Sequence, residues 1–463
     1  MSNNSYIETR SIDPIPDSER HGSAFSQFTL WLGANLQITA IVTGALAIVF
    51  GGDVFWSLIG LAIGQIAGGV VMALHAAQGP QLGIPQMISS RVQFGVYGAC
   101  LPILLVCLMY LGFIATGAVL SGQAISALCG VSETSGIMVF ALATLIIAYV
   151  GYRLIHLLGK LASLVGIVAF VYLFWKISTL QPLSTLITFQ PFRWSSFLTA
   201  VGLSASWQIT FGPYVADYSR YLPRSTPSRR VFLAVGSGSV IGAQIAMTVG
   251  VLAAAMSQGK LVGHEVDYIV GLGGSGAVAT LLYLSIAFGK LTINTLNAYG
   301  SLMCLTTVYR CGSGAVQISR RVRLLVLAAI ILVATGLAIL GQHAFLAAFK
   351  SFLLFLLTFF TPWSAVNLVD YYGFNHRDID TAALNDPRGK YRAWNATGLG
   401  VYIMGVVIQT PFIDSGFYSG PLVKLLGGID ISWIIGLVVP AVVYYVLRKR
   451  QVSGRADDML VTD

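Results

Sequence analysis

Four polar side chains recur along one apolar stretch of the chain. Lys290, Asn294, Asn297 and Ser301 fall at i, i+4, i+7 and i+11, the spacing of a single stripe on a helix. Two carboxamides can meet both the donor and the acceptor edge of a base or a lactam. An ammonium this far from either end of an apolar stretch cannot reach water comfortably, so it needs a role or a partner. Lys290 could stand in for a bound cation or carry a coupling proton. The plainer reading is an ion pair with Asp217 or Asp370, although both fall near the ends of other apolar segments. For the whole stripe the plainer reading is polar glue between helices.

A second group is Ser204-Ala-Ser-Trp207-Gln208-Ile-Thr210-Phe211-Gly212-Pro213. Pro213 removes a backbone donor and Gly212 admits unusual dihedrals, so a helix should break here. Trp207, Gln208 and Thr210 precede the break, and an aromatic face beside an amide and a hydroxyl suits a flat, hydrogen-bonding heterocycle. The alternative is a packing kink with an interfacial tryptophan, but Trp207 lies mid-segment. A comparable cluster, Gly33-Ala-Asn35-Leu-Gln37-Ile38-Thr39, opens the hydrophobic part of the chain. Broken helices at matching places in two halves point to a binding site in transporters.

These groups must be held by membrane helices. Of 463 residues 56% are hydrophobic and only 10% charged, too little charge to cover a water-facing surface. A span needs roughly 20 apolar residues, and about twelve such segments follow one another: 25–50, 54–76, 96–128, 134–150, 156–176, 196–219, 231–257, 276–308, 322–341, 345–371, 394–413 and 428–447. The third and eighth are long enough to tilt strongly.

Basic residues give this layout a direction. Loops on one side hold Arg91, Arg153, Lys160, Arg220, Arg224, Arg229, Arg230, Arg310, Arg320, Arg321, Arg323, Arg377, Arg388, Lys390 and Arg392; the other side holds Lys176, Arg193, Lys260 and Lys424. The positive-inside rule then puts both termini in the cytoplasm and makes the span count even, in an inner or plasma membrane. The same rule accounts for the net charge of +9, so nucleic-acid binding is not required. The first 24 residues lack an apolar signal core and read as a cytosolic tail, as do residues 448–463.

Other motifs are weaker. The five cysteines form no CxxC pair and read as small apolar residues, with no metal site. Gly271-Leu-Gly-Gly-Ser-Gly276 matches GxGxxG but follows no strand, and reads as a flexible loop. His75 and His156 stand at segment ends, where solvated histidines are expected. No Ser/His/Asp or paired-carboxylate arrangement suggests an enzyme.

The chain resembles the nucleobase:cation symporter-1 family, in its purine–cytosine permease branch. The resemblance rests on Phe211-Gly-Pro-Tyr-Val-Ala-Asp217-Tyr-Ser-Arg220-Tyr-Leu-Pro223 after Trp207. Further matches are Arg91-Val-Gln-Phe94-Gly95-Val-Tyr-Gly98, Asn294-Thr-Leu-Asn297-Ala-Tyr, and Pro362-Trp363 through Asp370-Tyr371. It implies an all-α leucine-transporter-type fold with two inverted five-helix repeats (25–180 and 196–371), two further helices (394–447), and broken first and sixth helices. It also implies a ring-shaped substrate between aromatic residues of the third and sixth helices, here Tyr110 and Trp207, with a helix-8 asparagine nearby. Ile114 stands where the hydantoin-transporting relative has an amide, so Gln208 is the expected hydrogen-bonding substitute.

In sodium-coupled relatives the ion lies between the helix-1 break, here near Ile38, and adjacent hydroxyls of helix 8. This sequence has only Thr292 of the pair Thr292-Ile293, with Lys290 close by. That departure favours H+ over Na+. The expected function is therefore proton-coupled import of cytosine or a purine, without cofactor or obligatory protein partner. The rivals are transport of a related ring compound (allantoin, hydantoin, uracil, thiamine or a pyridoxine-like vitamin) and a non-transporting membrane sensor, which would carry a signalling domain.

Overall fold

The structure, a computed structural model, describes residues 14–150, 152–313, 319–375, 379–416 and 418–460, leaving aside the side chains of 150, 152–163, 312–313 and 454–460. Most of the expected N-terminal tail, Arg377, and the side chains of Arg153, His156 and Lys160 lie outside the described residues.

Helices fall on every predicted apolar run. The main ones are α1 (Ala24–Asn35), α2 (Ile38–Val49), α3 (Val54–Ala76), α4 (Cys100–Cys129), α5 (Glu133–Val150), α6 (Tyr152–Leu180), α7 (Trp194–Ile209), α8 (Gly212–Ser219) and α9 (Ser228–Ser257). There follow α10 (Glu265–Gly273), α11 (Ala277–Ser313), α12 (Arg320–Gly341), α13 (Phe345–Asp370), α14 (Ala396–Gln409) and α15 (Ser432–Leu460). Side chains cap several starts: Asp53 accepts from Trp56 N at 2.9 Å, Ser319 from Val322 N and Asn395 from Gly398 N at 3.3 Å each. Among the described residues no strand forms; one isolated bridge joins Asp414 and Ser419.

Both predicted breaks are present. Between α1 and α2 the axis bends by 59°, with Gln37 in extended conformation. Between α7 and α8 the helix is interrupted at Thr210–Phe211, and Pro213 sits in the first turn of α8, where its missing N–H costs nothing. Local side chains occupy carbonyls beside each break: Gln37 Nε2 donates to Ala34 O and Thr210 Oγ1 to Trp207 O, both at 2.9 Å.

Glycine stripes draw these elements together. Cβ atoms added at Gly60, Gly64 and Gly68 of α3 would lie 2.9, 2.1 and 2.7 Å from the Phe197, Val201 and Ala205 carbonyl oxygens of α7. On α9, Gly238 and Gly242 would meet Phe28 O and Leu32 O of α1 at 2.4 and 2.5 Å, and Gly250 would meet Ile41 O of α2 at 1.8 Å. Backbones this close are a membrane-helix packing mode, since hydrocarbon gives no driving force for burying apolar side chains. Helices α4 and α11 run antiparallel in matched register: Cys100 meets Cys311, Cys107 meets Cys304, and Gly117 meets Asn294.

The exterior is apolar, with Leu142, Val168, Leu332 and Leu340 exposed on α5, α6 and α12. By length and composition six described helices could cross a membrane, or seven counting the bent α1–α2 pair. Two expectations need correction. The glycine-rich 271–276 segment is not simply a loop: α10 runs to Gly273, and positive φ at Gly274 and Gly276 ends it. His75 is not solvated. It is fully buried, stacked on Trp363 with centroids 4.5 Å apart, with Nε2 3.1 Å from Ser364 Oγ.

Candidate functional site

The site forms where α11 passes the break in the first helix. Lys290 is 3% exposed, and its Nζ donates to Thr39 Oγ1 at 2.6 Å and Gln37 Oε1 at 3.2 Å. Both acceptors are uncharged oxygens flanking the α1–α2 break. The ion pair considered from sequence does not form: Asp217 accepts from Gln86 N at 2.7 Å, and Asp370 pairs with Arg448 at 3.3 Å. Ile38, 5% exposed, begins α2 beside this contact. The Thr292 hydroxyl turns back to Phe288 O at 3.3 Å within its own helix.

A second network joins the two breaks. Trp207 Nε1 donates to Asn35 Oδ1 at 2.6 Å; Asn35 Nδ2 donates to Trp31 O at 2.7 Å and Ser239 Oγ at 3.0 Å. Ser239 Oγ donates to Gln208 Oε1 at 2.7 Å, and Gln208 Nε2 donates to Gln65 Oε1. Asn35 and Gln208 are fully buried, so their amides are engaged in binding α1, α3, α7 and α9 together. The expectation that Gln208 turns an amide to a ligand therefore meets a side chain with both ends occupied. The rings nearest Trp207 are Phe211 at 5.8 Å and Phe113 at 6.2 Å, both edge-on. Tyr110, expected opposite Trp207, lies at 5.6 Å from Tyr214 and covers Gly300.

Unengaged polar atoms remain on α11. Asn294 is fully buried; its Nδ2 donates to Ile114 O at 2.9 Å, while its Oδ1 has no hydrogen-bond partner among the described residues. Ser301 Oγ is likewise buried without a partner, and Asn297 is half-buried. Leaving such an acceptor dry costs about 1–3 kcal/mol unless something fills its place. The structure thus brings Lys290, Gln37, Asn35 and Trp207 around the first break, sets Asn294 against Ile114 and Gly117 of α4, and sets Tyr110 beside Tyr214.

Sequence reasoning missed Phe113, Phe211, Trp31 and Gln65. Trp31 packs edge-on against Phe211 at 5.2 Å, and Phe113 against Phe352 at 5.3 Å. Phe113 and Trp31 have the periodicity of any apolar helix, so no local signal marked them, whereas Gln65 is polar inside an apolar run and Phe211 lies in the break itself. Beyond Phe352 a cavity of about 300 Å³ opens between α4, α12 and α13, lined by Thr116, Ala338, Phe345 and Phe349. It is apolar and presents none of the expected polar site residues.

Comparison with known proteins follows the same direction. A family model described as a permease for cytosine/purines, uracil, thiamine and allantoin matches residues 14–436. YxlA of Bacillus subtilis, provisionally named a purine-cytosine permease, is 37% identical over 461 residues, covering 97% of this chain and 98% of its own. The purine-cytosine permease fcyB of Emericella nidulans is 24% identical, covering 96% and 89%. The inward-facing conformation of Mhp1 superposes with a TM-score of 0.78 over 98% of this chain and 96% of that one, at 18% identity. A closed conformation of Mhp1, a nucleobase-cation-symport-1 family transporter with bromovinylhydantoin bound, gives 0.72 over 96% of each chain at 17% identity. At these identities the structural likeness establishes the fold, which is the leucine-transporter type.

Proposed function

The chain belongs to the permease family for cytosine/purines, uracil, thiamine and allantoin, the nucleobase:cation symporter-1 family, and from that membership we propose that it imports a nucleobase, cytosine or a purine, together with H+. It is a multi-pass membrane protein and a permease rather than an enzyme. In our reading it has twelve spans with both termini cytoplasmic, and the elements up to 371 form two inverted repeats.

The observation that carries the substrate reading is the unfilled acceptor Asn294 Oδ1, buried on the same α11 stripe as Lys290. A ring N–H of a base or lactam would donate to it, Asn297 would meet a second polar edge, and the Trp207 ring would bound one flat face. The proton reading is supported by Lys290. Its ammonium already bridges the oxygens of Gln37 and Thr39, beside the Ile38 position where the resemblance expects a metal cation. With its proton lost to the cytoplasm, the amine would keep only weak donors for these oxygens. The link between α11 and the α1–α2 break would loosen, and a proton from outside would restore it. Differential affinity for the two protonation states is what couples proton to cargo.

The test is radiolabelled uptake of cytosine, adenine and hypoxanthine into proteoliposomes under separately imposed proton and sodium gradients. A proton gradient alone should drive accumulation; accumulation by sodium alone would sink the assignment. Lys290→Ala should retain exchange of bound substrate yet lose accumulation by at least about tenfold, since one coupled charge is removed. A second reading, transport of a related ring compound, is favoured by the breadth of the family description and by a 24% identity over 268 residues to the vitamin B6 transporter TPN1 of Saccharomyces cerevisiae. Competition by uracil, allantoin, thiamine and pyridoxine in the same vesicles separates the two.

A further inference from the structure

Two thiols and a guanidinium meet at the arginine-rich end of the α4–α11 seam, remote from the candidate site. Cys100 opens α4 and Cys311 stands near the end of α11; the two side chains interact directly, and both are partly exposed. Arg91, 4% exposed, donates from one terminal nitrogen to Cys311 Sγ at 3.1 Å. Its other terminal nitrogen is fixed by Leu384 O at 3.2 Å and by Asn385 Oδ1. A guanidinium held in this way cannot swing aside, so its charge stays on the sulfur.

The same seam contains its own control. Cys107 and Cys304 interact two helical turns deeper, with Cys107 buried and its thiol directed to Ser301 O at 3.8 Å, and no guanidinium touches them among the described interactions. Two thiol pairs in one helix register thus differ in charge, and one member of the deeper pair, Cys107, is buried. Thiolate chemistry needs both an accessible sulfur and a stabilising cation, and a neighbouring thiol to resolve the oxidised product.

We propose that Cys100 and Cys311 form a peroxide-reactive redox pair, with Cys311 as the attacking thiolate, Arg91 as its positioning cation and Cys100 as the resolving thiol. In the first step the Cys311 thiolate attacks one peroxide oxygen. An S–O bond forms, the O–O bond breaks, and the departing hydroxide takes a proton to become water. In the second, Cys100 sulfur attacks the sulfenic sulfur. The S–S bond forms, the S–O bond breaks, and the hydroxyl leaves with the Cys100 proton as a second water. The two thiols lose two electrons and the peroxide gains them. The product ties the start of α4 to the end of α11, the helices that carry Tyr110 and Asn294. It also removes the sulfur charge from a buried guanidinium. The couple is independent of what the protein carries.

The full chain in lipid nanodiscs, treated with hydrogen peroxide and then alkylated, should yield a Cys100–Cys311 cross-linked peptide by mass spectrometry under non-reducing digestion. Cys311 should react with iodoacetamide at least about tenfold faster than Cys129, which is exposed and serves as the standard for access alone. Cys100→Ser should leave a Cys311 sulfenic acid that dimedone traps, and Arg91→Gln should slow Cys311 towards the Cys129 rate. Should Arg91→Gln fail to fold, the wild-type rates and the Cys100→Ser trapping decide alone. Absence of the cross-link in wild type, or a Cys311 rate no greater than that of Cys129, would overturn the proposal.

Discussion

Asn294 shows what a single side chain discloses before and after folding. Its place on a polar stripe is legible in the sequence; that Ile114 O takes the amide while the carbonyl oxygen stays unfilled is not, because the partner belongs to another helix. Gln208 gives the opposite lesson. Beside a break it reads as a ligand contact, yet Gln65 and Ser239, distant in sequence, occupy both its ends. Removing Asn294 takes away both the unfilled acceptor and the amide that holds Ile114 O, so it should cost binding and about 0.5–1.5 kcal/mol of stability. Asn294→Ala is therefore expected to weaken base binding by at least about tenfold, or ~1.4 kcal/mol, and to lower the melting temperature by only a few degrees. Scintillation-proximity binding beside a thermal-shift scan measures both; unchanged affinity would remove Asn294 from the site.

At the scale of elements, the breaks were legible because proline, glycine and polar residues interrupt apolar runs. The packing partners were not. The Gly60-Gly64-Gly68 spacing is visible in the chain, but nothing local says that it faces α7, nor that Gly238, Gly242 and Gly250 face α1 and α2. Each stripe meets a broken helix, α3 against α7 and α9 against α1–α2. A methyl group at Gly250 would stand 1.8 Å from a carbonyl oxygen, so the helices would have to part. Gly250→Ala should destabilise by about 1–3 kcal/mol, the range of overpacking. Gly289→Ala on α11, with open space at its Cβ, should be neutral or stabilising. Comparing the two melting temperatures in one detergent isolates the contact from general helix propensity; equal values would contradict it.

For the molecule as a whole, hydropathy and charge placement carried the argument to the membrane, while the interior of the arginine-rich end stayed hidden. There Asp370 accepts from Gln93 at 2.8 Å, Asn375 at 2.7 Å and Tyr444 at 2.9 Å, beside Arg448. Asn367 links this cluster through Gln78 and Gln93 towards buried His75. The sequence could not place His75 because Trp363, on which it stacks, and Ser364, its Nε2 partner, lie almost three hundred positions away. Asp370→Ala should leave the part-exposed Arg448 without its anion and the buried donors of Gln93 and Tyr444 without their acceptor, and cost about 1–3 kcal/mol. A detergent-extracted variant that melts like wild type would show the cluster to be dispensable.

The Lys290 contact has one more consequence, in terms of mass action. A bound ion leaves when the medium is diluted, and stabilises its host in proportion to the logarithm of its concentration. An ammonium tethered to α11 has no free concentration to dilute. Exchanging sodium for choline at constant ionic strength and pH should leave the melting temperature of this protein unmoved, and a rise of several degrees with sodium would mean that a metal ion shares the break with the lysine.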